Sequence, residues 1–249
     1  MGAQVDPPAA AAVRAAGVPL PGEADRAGAV RAMFDRIAPS YDLLNRVMTM
    51  RVDQHWRRRL IRAVAPRVGE RLLDVCAGTM DVAAEARRLV PGAAVFAADF
   101  SLPMLSRGAA KTGLPAAQAD ALSLPFASAA FEVATVAFGV RNLESLERGL
   151  RELARVLRPG GRLGVIEFFR AESSGSRLVH GTYNRVALPV LGRLLSPDPD
   201  AYRYLVESME RFASRGEFEE ACRRAGFTAV RGETLFPGVC GLVVAVRAP

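Results

Sequence analysis

Between residues 71 and 168, short apolar runs alternate with helix-patterned stretches, and this alternation restricts the fold more than any other feature of the chain. The runs at 71–76, 93–98, 133–138 and 162–168 are too short for buried helices and read as strands buried on both faces. Helical stretches lie between them at about 82–90, 104–111 and 146–157. Strand–helix–strand repetition predicts a mostly parallel sheet wrapped by helices, a doubly wound α/β fold. Leu157-Arg158-Pro159-Gly160-Gly161-Arg162 supplies a helix stop, a tight turn and a strand start in order. Beyond it, 217–225 reads as a helix, and 230–235 and 242–247 as strands close enough to form an antiparallel hairpin.

Upstream, Val30, Met33, Phe34 and Ile37 recur at helical spacing, and Pro39 ends that helix by disfavouring helical geometry before it. A second helix is expected over about 54–65, ending before Pro66. Residues 1–28, rich in Ala, Pro and Gly, read as a flexible tail, and 29–249 as a single domain. Residues 170–210 break the alternation as an irregular, helix-prone insertion. With 249 residues, 50% of them hydrophobic, the chain can bury a substantial core, which excludes disorder as its main state. No uncharged apolar run approaches the roughly 18–20 residues of a spanning helix.

The formal net charge is +7, and Lys111 is the single lysine. Only Arg57-Arg58-Arg59 and Arg62 cluster, and they read as a solvated helix face, so nucleic acid is not an expected partner. Cys76, Cys222 and Cys240 stand far apart, with only His55 and His180 beside them; no metal is expected, and the thiols suit a reduced, cytoplasmic compartment. The short Ala9–Ala12 run, flanked by prolines, does not read as a secretory signal.

In an open α/β sheet, ligands bind beyond the carboxyl ends of the strands. The first strand ends in Asp74-Val75-Cys76-Ala77-Gly78-Thr79-Met80-Asp81, an acidic residue and a small-residue turn that opens a helix. The next ends at Asp99, where a carboxylate can accept from a ribose diol, and Asp120-Ala121 follows a third. Carboxylates at successive strand ends disfavour a pyrophosphate and favour a nucleoside with a cationic tail. S-Adenosylmethionine fits, with Asp99 on the ribose, Asp120 on the adenine amino group and the Asp74 loop at the aminoacyl end. The plainer reading makes each Asp a helix N-cap.

Tyr41-Asp42-Leu43-Leu44-Asn45, Trp56-Arg57-Arg58, Gly78-Thr79-x-Asp81, Leu124-Pro125-Phe126, Phe138-Gly139-Val140-Arg141-Asn142 and Arg155 to Arg162, with Glu167-Phe168 after them, follow one another in an order that resembles the UbiE/MenG-type quinone C-methyltransferases. Tyr202-Arg203-Tyr204-Leu205-x-Glu207-Ser208 and Gly226-Phe227 share the likeness. The resemblance implies a Rossmann-like class I methyltransferase that moves a methyl group from S-adenosylmethionine to a ring carbon of a prenylated naphthoquinol, completing menaquinone and in some lineages ubiquinone. It implies cofactor contacts at Asp74, Gly78, Thr79, Asp99, Asp120, Ala121 and Ala137. Tyr41 is then expected over the cofactor, and Arg141 and Asn142 at the quinol head. Three positions depart from the pattern. Met80 replaces a loop glycine and is expected to crowd the cofactor tail, Phe169 replaces a serine, and Leu242-Val243-Val244 lacks a histidine.

A ring carbon becomes nucleophilic when an adjacent hydroxyl loses its proton, and Arg141 is suited to stabilise the resulting phenolate. The plainer role for Arg141 is a salt bridge to Glu144 or Glu147. Tyr41, Asp42, His55 and His180 are all candidate proton acceptors. Residues 178–195 are apolar with arginines at 185 and 193, which suits either an amphipathic lid at the inner face of a membrane or a plain helical cover. Whether the chain forms a homodimer is left open. The competing functions are methylation of a ubiquinone precursor or a phenolic secondary metabolite, and a non-catalytic interaction role for a loop that has lost its ligand.

Overall fold

A computed structural model describes residues 23–171 and 199–249. Three helices, α1 (Glu23–Ile37), α2 (Tyr41–Met48) and α3 (Val52–Val64), precede the sheet. Then come β1 (Arg71–Val75), α4 (Asp81–Leu89), β2 (Ala94–Asp99), α5 (Leu102–Thr112), β3 (Ala116–Gln118), β4 (Phe131–Ala137), a 3-10 turn at Val140–Asn142, α6 (Leu146–Val156) and β5 (Leu157–Glu167). The described chain ends with α7 (Pro199–Arg211), α8 (Arg215–Arg224), β6 (Phe227–Leu235) and β7 (Cys240–Arg247).

The strands form one seven-stranded sheet in the order β3-β2-β1-β4-β5-β7-β6. β1 to β5 pair in parallel, and β7 runs antiparallel between β5 and β6. The expected doubly wound sheet and its C-terminal hairpin are both present. The order reverses between β1 and β4, so the chain diverges there to either side and opens a crevice at the strand ends. One apolar layer packs α3 and α4 against one face through Trp56, Leu60 and Val82. The other packs α6 and α8 through Leu150, Leu153 and Phe218. Gly164 on β5 lets α3 sit close, since a Cβ there would stand 2.4 Å from Val64.

Several boundaries differ from those expected. α1 begins at Glu23, inside the stretch assigned to the tail. The Pro159-Gly160-Gly161 turn lies within β5, as a bulge: Leu157 pairs with Phe131, and pairing resumes at Arg162 with Val133. Asp120 follows a strand of three residues and bridges to Ser123. The arginine cluster is also more than a solvated face. Arg57, half-buried, pairs with Asp53 and Asp81 at 2.7 and 3.0 Å, Arg58 pairs with Glu85 and Arg59 with Glu233. The apolar stretch at 178–195, and His180 with it, lies outside the described residues.

Candidate functional site

At the carboxyl edge of the sheet, a cleft is walled by the β1–α4 loop, the β2–α5 loop and the segment after β4. Gly78, Asp99, Asp120, Ala121, Ala137, Tyr41 and Asn142, all expected at the site, border this one cleft.

Its floor rests on backbone groups. Asp99 ends β2, and its two carboxylate oxygens accept from the backbone N–H groups of Ser101 and Gly78, each at 2.8 Å. Burial raises its pKa, against the pull of those N–H bonds. The carboxylate is thus fixed at the cleft wall with lone pairs left to accept from hydroxyl groups. Asp120 is exposed and takes the Leu122 N–H at 2.9 Å, so it too is oriented by its own turn.

Two expected cofactor residues, Asp74 and Thr79, and the expected quinol-head residue Arg141 do not turn their side chains into the cleft. Asp74 is buried, accepting from Thr135 Oγ1 at 2.8 Å and from the Ala83 N–H at 3.1 Å. Its carboxylate satisfies a free N–H in the first turn of α4 and ties that turn to β4, close to the plain capping role. Burial pushes it up to about 7. Thr79 is buried and donates to Asp42 Oδ1 at 2.5 Å. Arg141, also buried, donates to Glu167 Oε1 and to the Phe138 carbonyl, both at 2.7 Å, and to Ser208 Oγ at 3.3 Å. Its partner is therefore Glu167, not Glu144 or Glu147, and Asn142 stands at the cleft in its place. Burial raises the pKa of Glu167 although Arg141 draws it down.

The departures from the family pattern resolve in the packing. Met80, and Cys76 at the start of the same loop, both adopt left-handed backbone, φ +63° and +54°, as glycine would. Met80 is fully buried and does not crowd the cleft: its side chain packs on Gly108, where a Cβ would meet Met80 Cγ at 2.5 Å. Cys76 stays at the cleft wall against Gly139, where a Cβ would meet its own at 2.3 Å. Space absent from the loop is supplied by glycines facing it. Phe169 likewise packs against Gly241 and the Phe212 and Phe218 rings, while Leu242, Val243 and Val244 are core.

The roof comes from outside the sheet. Val30, Arg31 and Phe34 of α1 border the cleft. The Phe34 ring meets Tyr41 edge-on at 6.3 Å, and Arg31 lies 5.4 Å over Phe100. Ser101 Oγ donates to Asp35 at 2.5 Å and so ties α1 to the Asp99 turn. Sequence reading missed these residues because the Val30–Phe34 stripe looks like any core-facing helix. Tyr41 bonds Asn45, and burial raises its pKa, so it remains a neutral phenol. Asn142 accepts from Tyr204 of α7 at 3.1 Å and donates to the Phe138 carbonyl at 3.4 Å. Of the candidate bases, Asp42 is paired with Thr79 and Lys111, and His55 is exposed on α3 away from the cleft.

The strand order, the glycine-poor but tight first loop and the acidic strand ends define a nucleoside-binding class I methyltransferase fold. Among solved structures, an S-adenosylmethionine-dependent methyltransferase from Thermotoga maritima aligns at TM-score 0.64 and 19% identity, over 87% of this chain and 99% of that one. A Haemonchus contortus phosphoethanolamine N-methyltransferase solved with S-adenosylmethionine aligns at 0.60 and 13%, over 78% of this chain and 53% of the other. These likenesses show the fold. The chain belongs to the ubiE/COQ5 methyltransferase family, whose profile matches residues 23–247. It is 44% identical to a demethylmenaquinone methyltransferase of Thermus thermophilus over 86% of this chain and all of that protein. It is 36% identical to a ubiquinone/menaquinone biosynthesis C-methyltransferase of Cereibacter sphaeroides over 88% of this chain and 91% of the relative. The protein is an S-adenosylmethionine-dependent C-methyltransferase.

Proposed function

We propose that the protein methylates a ring carbon of a prenylated naphthoquinol, converting demethylmenaquinol to menaquinol. The observation that carries this reading is one cleft that joins two kinds of chemistry. A hydroxyl acceptor, Asp99, is fixed at its wall, and a phenol and an amide, Tyr41 and Asn142, border the same cleft.

The residues present fit the methyl donor. Asp99 offers lone pairs to a ribose diol, Asp120 accepts from an exocyclic amine, and Ala121 and Leu122 give a flat apolar wall beside it. Gly78 lies beneath Tyr41, where a Cβ would make ordinary contact with the ring at 3.6 Å, and its φ of +53° is the left-handed backbone that glycine favours. S-Adenosylmethionine supplies an electrophilic methyl group when bound.

The chain's own residues then have three tasks. Phe34, Tyr41 and Phe138 exclude water from the reacting face. Asn142 aligns the quinol head, its amide orientation set by the Tyr204 hydroxyl and the Phe138 carbonyl. Behind it, Arg141 keeps a permanent positive charge close to the developing phenolate, with Glu167 fixing its direction. For the isoprenoid tail, the apolar 178–195 stretch with its arginines supports peripheral contact with an anionic membrane. Replacing Leu191 and Leu194 with serine is then expected to reduce cosedimentation with liposomes and leave cofactor affinity unchanged. Unchanged cosedimentation would contradict that contact.

The functional test incubates the protein with methyl-labelled S-adenosylmethionine and reduced demethylmenaquinone. Label on a ring carbon of the product is expected. A label on oxygen, or a bound donor with no labelled quinone, would contradict the reading.

A further inference from the structure

Asp42, in the Tyr-Asp-x-x-Asn segment, is explained by none of the roles above. Two consecutive residues of α2 meet two consecutive residues of the cofactor loop. The Tyr41 ring lies over Gly78, and Thr79 Oγ1 donates to Asp42 Oδ1 at 2.5 Å. The second oxygen of Asp42 receives Lys111 Nζ from α5 at 3.1 Å, and the same ammonium reaches Asp81 Oδ1 at 2.5 Å. Asp81 also pairs with Arg57, which holds Asp53, and Asp53 accepts from Thr49 Oγ1 at 2.9 Å. Thr49 directly follows α2. The chain of contacts therefore leaves α2 at its first turn and returns just past its end, passing through α5, α4 and α3, with Thr79 of the loop held as a branch on Asp42.

None of these polar side chains borders the cleft. They nonetheless bind the element that carries Tyr41 to the loop that carries Gly78. α2 has eight residues, too few for a helix to hold itself, and its Leu43 is 56% exposed while Leu44 is its buried apolar anchor. A helix so short and so lightly buried takes its position from its polar contacts.

We propose that Asp42, Thr79 and Lys111 are positioning residues that latch α2 to the cofactor loop, so that bonds outside the cleft set the affinity for S-adenosylmethionine and the placement of Tyr41. The proposal rests on the cofactor reading. The latch acts through geometry, and neither carboxylate nor ammonium touches the ligand.

The test is a calorimetric titration of S-adenosylmethionine into the full chain and into Asp42→Ala, Thr79→Val, the double variant, Lys111→Met and Lys111→Arg. Asp42→Ala and Thr79→Val are each expected to weaken binding about tenfold, near 1.4 kcal/mol. The double variant is expected to lose little more than Asp42→Ala alone, because the Thr79 bond is already absent from that variant. Lys111→Arg restores binding to within about twofold of wild type where Lys111→Met does not, a rescue that retained charge explains and general loss of packing does not. Thr79→Ser keeps the hydroxyl and is expected to keep the affinity, which guards against misfolding of the other variants. Unchanged affinity in Asp42→Ala, or losses that add in the double variant, would overturn the latch alone. Failure of the wild type to bind would overturn the cofactor reading and the latch with it.

Discussion

Asp99 and Asn142 border one cleft and are held in contrasting ways. Asp99 is fixed by backbone N–H groups of its own turn and the neighbouring loop, Ser101 and Gly78. Asn142 depends on a tyrosine hydroxyl from α7, and the adjacent Arg141 on Glu167 and Ser208. The floor thus follows from how parallel strands end, and substitutions of most side chains leave it in place. The roof exists only when distant side chains converge, so it is the part that specialisation can alter and mutation can break.

Breaking the Arg141–Glu167 pair separates roof from floor most strongly. Both side chains are buried, 7% and 0% exposed, and Arg141→Met leaves an uncompensated carboxylate beneath the roof. A loss of about 3–5 kcal/mol of stability by denaturant unfolding is expected, together with a fall in kcat. An equal loss in Asp99→Ala would erase the distinction.

The carboxylate of Asp74, beneath the floor, gives a pH signature of comparable size. Burial raises it from 3.8 to about 7, so between those values the folded protein holds a proton that the unfolded chain has released. Its contribution therefore lowers stability as pH rises through that window, by roughly 4 kcal/mol in all, and levels off above it. Asp74→Asn is expected to flatten that slope in unfolding curves taken across the window.

For the floor itself, Asp99→Ala is expected to weaken S-adenosylmethionine about a hundredfold, near 2.7 kcal/mol, with the midpoint of unfolding little changed. Tyr204→Phe has a smaller effect. It removes the donor that orients Asn142 and is expected to raise KM for the quinol severalfold, about 1 kcal/mol, without changing cofactor affinity. A shift in cofactor affinity instead would join roof and floor into one unit.

The strand–helix alternation and the floor were legible in the sequence because both are local. Apolar run length marks the strands, and Asp99 and Asp120 follow their ends directly. Asp74 obeyed the same pattern but faced inward, since α4 starts with unsatisfied N–H groups that a strand-end carboxylate can reach. The roof was less legible. Arg141 finds its partner at Glu167, on the neighbouring strand β5, and nothing in the spacing favours that residue over Glu144 or Glu147. α1 carries Arg31 and Phe34 to the cleft on a stripe that periodicity alone assigns to a core. Met80 was misjudged because a loop position was read without the element opposite it: Gly108, on α5, makes the room that a loop glycine would have made.

That last point bears most directly on how the loop receives the methyl donor. The deciding measurement is the affinity of S-adenosylmethionine for wild-type protein and for Met80→Gly, taken together with their stabilities. Expected are affinities equal within about twofold and a variant less stable by roughly 2 kcal/mol, as the loss of a buried side chain outweighs the relief of left-handed strain. Binding that appears only when Met80 becomes glycine would contradict the account, and would mean that the side chain reaches the ligand after all.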